Sequence, residues 1–267
     1  MKKYTIISNL LLVLTLVLAG CGISNTETPG SDNIMSEENE DIKSNTDDTQ
    51  TAGGQEDNLQ ETPSTEPEVD MQNIVLGTVP DRYYSAATQQ GTLEAFTYDT
   101  KDYIGDGKAI QSQATVYLPY GYDQNDTETK YNILYLQHGA YGNERTWMYE
   151  YGDNFKNMID NMIKDKLIPP LIIVMPYLPS GNDWYHDTTP IFYSGELKND
   201  LMPAVESYYH TFATSTTDVG FEESRSHRAF GGFSAGGTTT WRVFLEGMDR
   251  FEYFMPMSGG LTLGGDG

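Results

Sequence analysis

HRAFGGFSAGGTTTW, residues His227 to Trp241, changes character at Ser234. Before it stands an apolar run, His227–Phe233, of the kind buried on both faces of a parallel sheet. After it, the stretch to about Gly247 reads as a helix, although Gly236, Gly237 and the threonines at 238–240 weaken its propensity. The centre, Gly232-Phe233-Ser234-Ala235-Gly236, fits Gly-x-Ser-x-Gly at a strand-to-helix junction, the setting that motif needs. There a serine is raised on a strained turn, and glycines two residues to either side avoid a clash between strand and helix. Ser234 is the candidate nucleophile, and the Ala235 N–H at the helix start points where an oxyanion would form. The other reading of these residues is a glycine-rich β-to-α turn needed only for close packing.

Upstream, further apolar runs predict strands at Ala114–Pro119, Tyr131–Gln137 and Leu171–Met175, and downstream another at Phe251–Ser258. Phe155, Met158, Ile159, Met162 and Ile163 repeat at the spacing of one helix face, as do Leu197, Leu201, Val205 and Tyr208. Strand and helix in alternation predict an α/β domain with a mainly parallel sheet and helices on both faces. The second strand runs into His138-Gly139-Ala140-Tyr141-Gly142, which is similar to the oxyanion loop of α/β-hydrolases and offers the Ala140 N–H as second donor. His138 is expected to hold that loop rather than to act as a base.

The two ends of the chain differ in kind. Of 32 aromatic residues, 31 follow Met71, and none lies between Gly22 and Asp70. That segment carries 14 acidic residues against Lys43 alone, so it is expected to stay extended and disordered, as a tether over residues 21–70 or as a merely solubilising leader. Residues 71–267 form the one globular domain. A net charge of −23 excludes a nucleic-acid binder, because phosphate neutralisation requires a Lys/Arg surface. The single cysteine, Cys21, excludes an internal disulfide and a cysteine-based zinc site. No metal and no cofactor is expected.

Residues 1–20, with Lys2, Lys3 and the apolar run Leu10–Leu18, read as a bacterial export signal. Leu18-Ala19-Gly20-Cys21 resembles the lipobox of bacterial lipoproteins. That resemblance implies a lipid on Cys21 and an extracytoplasmic protein anchored to the bacterial cell membrane.

The blocks VYLPYGY (116–122), KYNILYLQHGAYGNERTW (130–147), LIIVMP (171–176), HRAFGGFSAGGTTTW (227–241) and FEYFMPMSGG (251–260) together resemble the esterase D and feruloyl esterase family of α/β-hydrolases. This is the carbohydrate esterase family 1 type, as in the feruloyl esterase modules of bacterial xylanases. The resemblance implies a serine carboxylic ester hydrolase that releases feruloyl or acetyl groups from plant cell-wall xylan. Ser234 matches the family nucleophile, and Ala235 and Ala140 match its oxyanion positions. The family's acid and histidine follow the serine, whereas His138, His186, His210 and His227 all precede Ser234. The chain is therefore expected to be truncated at the C-terminus; the rival reading is a catalytically inactive surface lipoprotein that binds carbohydrate.

Among other residues, Asp183-Trp184-Tyr185-His186-Asp187 is a loop that could line a pocket mouth. Tyr141, Trp147, Trp184 and Trp241 are candidates either for stacking on a phenolic or sugar ring or for the core. Glu222, Glu223, Arg225 and Arg228 read as a solvated mixed-charge loop.

Overall fold

The computed structural model describes residues 79–150, 154–178 and 191–261. The signal segment, Cys21, the acidic tether and the loop holding Trp184, His186 and Asp187 lie outside these residues. Among the described residues no helix is long and apolar enough to cross a membrane.

Six strands form one sheet in the order β1-β2-β4-β3-β5-β6. They are β1 Thr92–Lys101, β2 Ala109–Leu118, β3 Asn132–Gln137, β4 Leu171–Pro176, β5 Arg228–Phe233 and β6 Tyr253–Met257. The pairs β3–β4, β3–β5 and β5–β6 are parallel. β1–β2 and β2–β4 are antiparallel, so the expected parallel sheet carries an antiparallel extension on one side. β1 was not expected from sequence: its residues are mostly exposed, and Glu, Asp, Lys and Thr break up its apolar alternation.

Alternating side chains feed two apolar layers. Ile133 and Tyr135 of β3, Ile172 and Val174 of β4 and Phe230 of β5 face one side, with Leu197, Leu201, Val205 and Val243 packed on them. Leu134, Leu136, Ile173 and Met175 face the other, against Trp147, Phe155, Met158 and Ile159. Helices thus cover both faces: α1 (Asn154–Lys164) on the second side, and α2 (Met202–Tyr208) and α4 (Ala235–Glu246) on the first. α2 is entered through a π-helical stretch, Tyr193–Leu201. The short helix α3 spans Asp218–Glu223.

α1 also buries a polar edge. Asp160 accepts from the Gly91 N–H (2.8 Å), the Tyr117 hydroxyl (2.8 Å) and Lys156 Nζ (2.7 Å). Asn157 donates to the Tyr84 carbonyl and Asn161 to that of Ser85. This edge ties the segment before β1 to the body.

Arg228 corrects the expectation of a solvated loop. It is the first residue of β5, 1% exposed, and its guanidinium makes a two-pronged pair with Glu206 of α2 at 2.7 and 2.8 Å. Its remaining N–H groups donate to the Phe221 and Arg250 carbonyls and to Ser224 Oγ, so all five donors are used. Glu206 also accepts from the Tyr135 and Thr211 hydroxyls. A charge looks solvated in sequence when its partner, 22 residues away, is supplied by tertiary structure.

Candidate active site

β5 ends and α4 begins around Ser234, whose φ of 55° and ψ of −112° lie outside the regions open to ordinary L-residues. Several contacts hold it there. Its N–H donates to the Met257 carbonyl at the end of β6 (2.9 Å), and its carbonyl accepts from Thr238 N–H (3.0 Å). A Cβ on Gly232 would stand 2.5 Å from the Gly236 backbone, and one on Gly236 would stand 2.5 Å from the Gln137 carbonyl oxygen. Only glycine lets β5, α4 and the end of β3 meet this closely.

The loop after β3 lies against this turn: a Cβ on Gly139 would come within 3.4 Å of Ser234 Cβ. The loop is braced from below. Gly142 N–H closes a turn on the Gly139 carbonyl (3.1 Å), and the same carbonyl takes a bond of 2.7 Å from His138 Nδ1. Leu178 N–H donates to His138 Nε2 (3.2 Å), which makes Nε2 the lone-pair nitrogen and Nδ1 the protonated one. Burial depresses the His138 pKa, keeping the ring neutral. With both nitrogens engaged, His138 is a strut for the loop, as the sequence suggested, and has no nitrogen left for Ser234.

The other described histidines are also committed elsewhere. His210 Nε2 bonds to the Gln124 carbonyl, and His227 Nδ1 bonds to Asn132 Oδ1 while its ring stacks on Phe212. His186 lies outside the described residues.

Of the two expected oxyanion donors, Ala235 follows Ser234 directly and Ala140 follows Gly139, the residue packed on Ser234. The Ala235 N–H opens α4, where the helix dipole favours negative charge. Ala140 sits in the braced turn, one residue after Gly139. Among the described residues neither N–H, nor the Ser234 hydroxyl, has a hydrogen-bond partner within the protein. Acyl transfer needs a nucleophilic oxygen with backbone N–H donors near it.

The candidate stacking residues divide. Trp147 is buried in the core, with its indole N–H donating to the Gln137 carbonyl, whereas Trp241 is half-buried and donates to the Gly259 carbonyl. Tyr141, 88% exposed, is not core. The brace through Leu178 was not visible in sequence, because it joins the loop after β3 to the chain after β4. Among the described residues no group of three or more His, Cys, Asp or Glu side chains is placed to hold a metal ion.

Comparison with known proteins gives the family of this fold. The family model described as putative esterase matches residues 110–263. Endo-1,4-beta-xylanase Y of Acetivibrio thermocellus is 42% identical over 180 residues, covering 67% of this chain and 15% of the relative. An endo-1,4-beta-xylanase/feruloyl esterase of Xylanibacter ruminicola is 32% identical over 153 residues, covering 55% and 19%. The chain thus spans under a fifth of these curated relatives. Among solved structures, a serine-to-alanine mutant of the feruloyl esterase module from Clostridium thermocellum, complexed with sinapinate, shares 40% identity at a TM-score of 0.59, over 70% of this chain and 60% of that one. A CE1 ferulic acid esterase from Anaeromyces mucronatus, in complex with ferulic acid, shares 25% identity at a TM-score of 0.51, over 71% and 67%.

Proposed function

This chain belongs to the putative esterase family, with an α/β-hydrolase fold, and from that premise we propose that it hydrolyses feruloyl esters of plant cell-wall xylan. The observation that carries the proposal is Ser234 at φ 55°, held against Gly139 and followed by the Ala235 N–H at the start of α4. The Ser234 Oγ adds to the ester carbonyl as its proton passes to a general base, which none of the described histidines supplies, and the alkoxide of the tetrahedral intermediate is assigned to the N–H groups of Ala235 and Ala140. Collapse breaks the bond from the carbonyl carbon to the sugar oxygen, which takes up that proton, and leaves a feruloyl-serine; water adds to it in the same way, releasing ferulate and restoring the Ser234 hydroxyl. The relatives named as feruloyl esterases support this acyl group. They do not favour the non-catalytic carbohydrate-binding reading.

The test is release of ferulate from methyl ferulate and from feruloylated arabinoxylan, together with fluorophosphonate labelling. In the full-length protein, Ser234→Ala should lower turnover by about four orders of magnitude and remove the label while the fold persists. Labelling at another serine, or turnover that survives the substitution, would refute it.

We also propose that Cys21 carries a lipid and that the acidic segment behind it is a tether holding the esterase away from the membrane. Leu18-Ala19-Gly20-Cys21 supports this reading. Mass spectrometry of the mature N-terminus should find an acylated Cys21, and an unmodified one would exclude the anchor.

A further inference from the structure

Tyr141 is at odds with its surroundings. It occupies the third position of the turn closed by Gly142 N–H on the Gly139 carbonyl, with φ +63°, a conformation unfavourable for a residue bearing a Cβ. The turn needs the backbone conformation but not this side chain. The ring is 88% exposed and, among the described residues, makes no ring contact, hydrogen bond or ion pair. The other aromatics of the same loop are satisfied: Trp147 is buried, and Arg145 covers the face of Tyr149 at 4.1 Å. A large aromatic kept at a strained position where glycine would serve the turn, with its ring in solvent, points to a ligand.

The position limits what that ligand is. Tyr141 lies two residues beyond Gly139, the residue packed on Ser234, so its Cα is within about 7 Å of that contact along the chain. The loop is rigid enough to present the ring. Asn143 N–H and Asn143 Nδ2 bond to Thr146 Oγ1 and Glu150, and Thr146 Oγ1 in turn donates to Glu150 at 2.8 Å. A pocket for the acyl group encloses it and has a buried lining, whereas this ring faces solvent. An exposed aromatic face with a polar edge matches a sugar, which presents an apolar C–H face rimmed by hydroxyls.

We propose that Tyr141 is a specificity-determining residue that stacks on the carbohydrate bearing the ester, on the alcohol side of the scissile bond. This rests on the esterase reading above and deepens it. The ring binds the sugar while the feruloyl group is held elsewhere, so Tyr141 discriminates between a polysaccharide ester and a simple alkyl ester of the same acid.

The experiment measures Kd by calorimetry for the full chain carrying Ser234→Ala, with methyl ferulate and with a feruloylated arabinoxylo-oligosaccharide. Adding Tyr141→Ala should weaken the oligosaccharide about 3- to 10-fold and leave methyl ferulate within about 2-fold, the range expected for one aromatic contact. Tyr141→Trp should retain oligosaccharide binding. Tyr141→Gly should lose it while raising the Tm, because glycine relieves the positive φ. Equal weakening of both ligands, or of neither, overturns the inference and leaves the esterase reading standing. Failure of the chain with Tyr141 intact to bind either ester overturns both.

Discussion

Ser234 owes its position to neighbours that contribute almost no side-chain volume. Residues held in such a conformation cost on the order of 1–3 kcal/mol and persist where the surroundings over-determine them. Here those surroundings are Gly232, Gly236, Gly139 and the Met257 carbonyl. Gly236→Ala should therefore cost about 1–3 kcal/mol in urea unfolding, and it should impair fluorophosphonate labelling because the Gln137 carbonyl must move. His138 adds a pH term. The folded chain holds it neutral by burial, so as pH falls below about 6.5 the unfolded chain takes up the proton first. Its contribution is whole above that value and is lost progressively toward its lower native pKa. His138→Gln should flatten this part of a stability profile measured between about pH 5 and pH 8; an unchanged slope would show that His138 is not the group responsible.

Among the elements, α1 ends in a Schellman motif: Leu167 N–H reaches the Met162 carbonyl, Lys166 N–H reaches that of Ile163, and Lys166 stands at φ +59°. Lys166→Gly should raise stability by about 0.5–1 kcal/mol in thermal or urea unfolding. The junction of β5 with α2 behaves oppositely. Glu206→Ala strands a guanidinium that is 1% exposed and should cost about 3–5 kcal/mol, read by the same measurement. These two sites show what sequence can reveal. β2 to β6 were legible because buried strands are continuous apolar runs, and α1 and α4 because their faces repeat or follow a turn motif. Ser234, Ala235 and Ala140, the residues proposed for the site, fall just past the ends of the buried strands β5 and β3. β1 was not, because an exposed antiparallel strand carries little apolar signal. Nor was the π-helical entry to α2, whose Leu197, Leu201 and Val205 repeat as any helix does. The Arg228–Glu206 pair and the His138–Leu178 brace depend on which elements become neighbours, a property of the sheet order rather than of any local window.

At the scale of the molecule, charge governs which substrates approach. The esterase domain carries 25 acidic and 13 basic residues, and the segment after Tyr141 carries Glu144, Arg145 and Glu150. The net field of the domain is therefore negative, and it acts over a distance set by salt: about 30 Å at 0.01 M ionic strength but about 8 Å at 0.15 M. A neutral feruloylated arabinoxylo-oligosaccharide does not feel this field. One that also bears a glucuronate group is repelled, more strongly the lower the salt. With Ser234→Ala protein, raising ionic strength across that range should tighten the glucuronate-bearing ligand several-fold and leave the neutral one unchanged. Calorimetric Kd values for the two ligands at both salt concentrations check this directly. An identical response of both would show that the domain's charge is too distant or too well screened to matter at the site. Weakening of the acidic ligand by salt would instead reveal a cationic subsite strong enough to reverse the sign of the surrounding field.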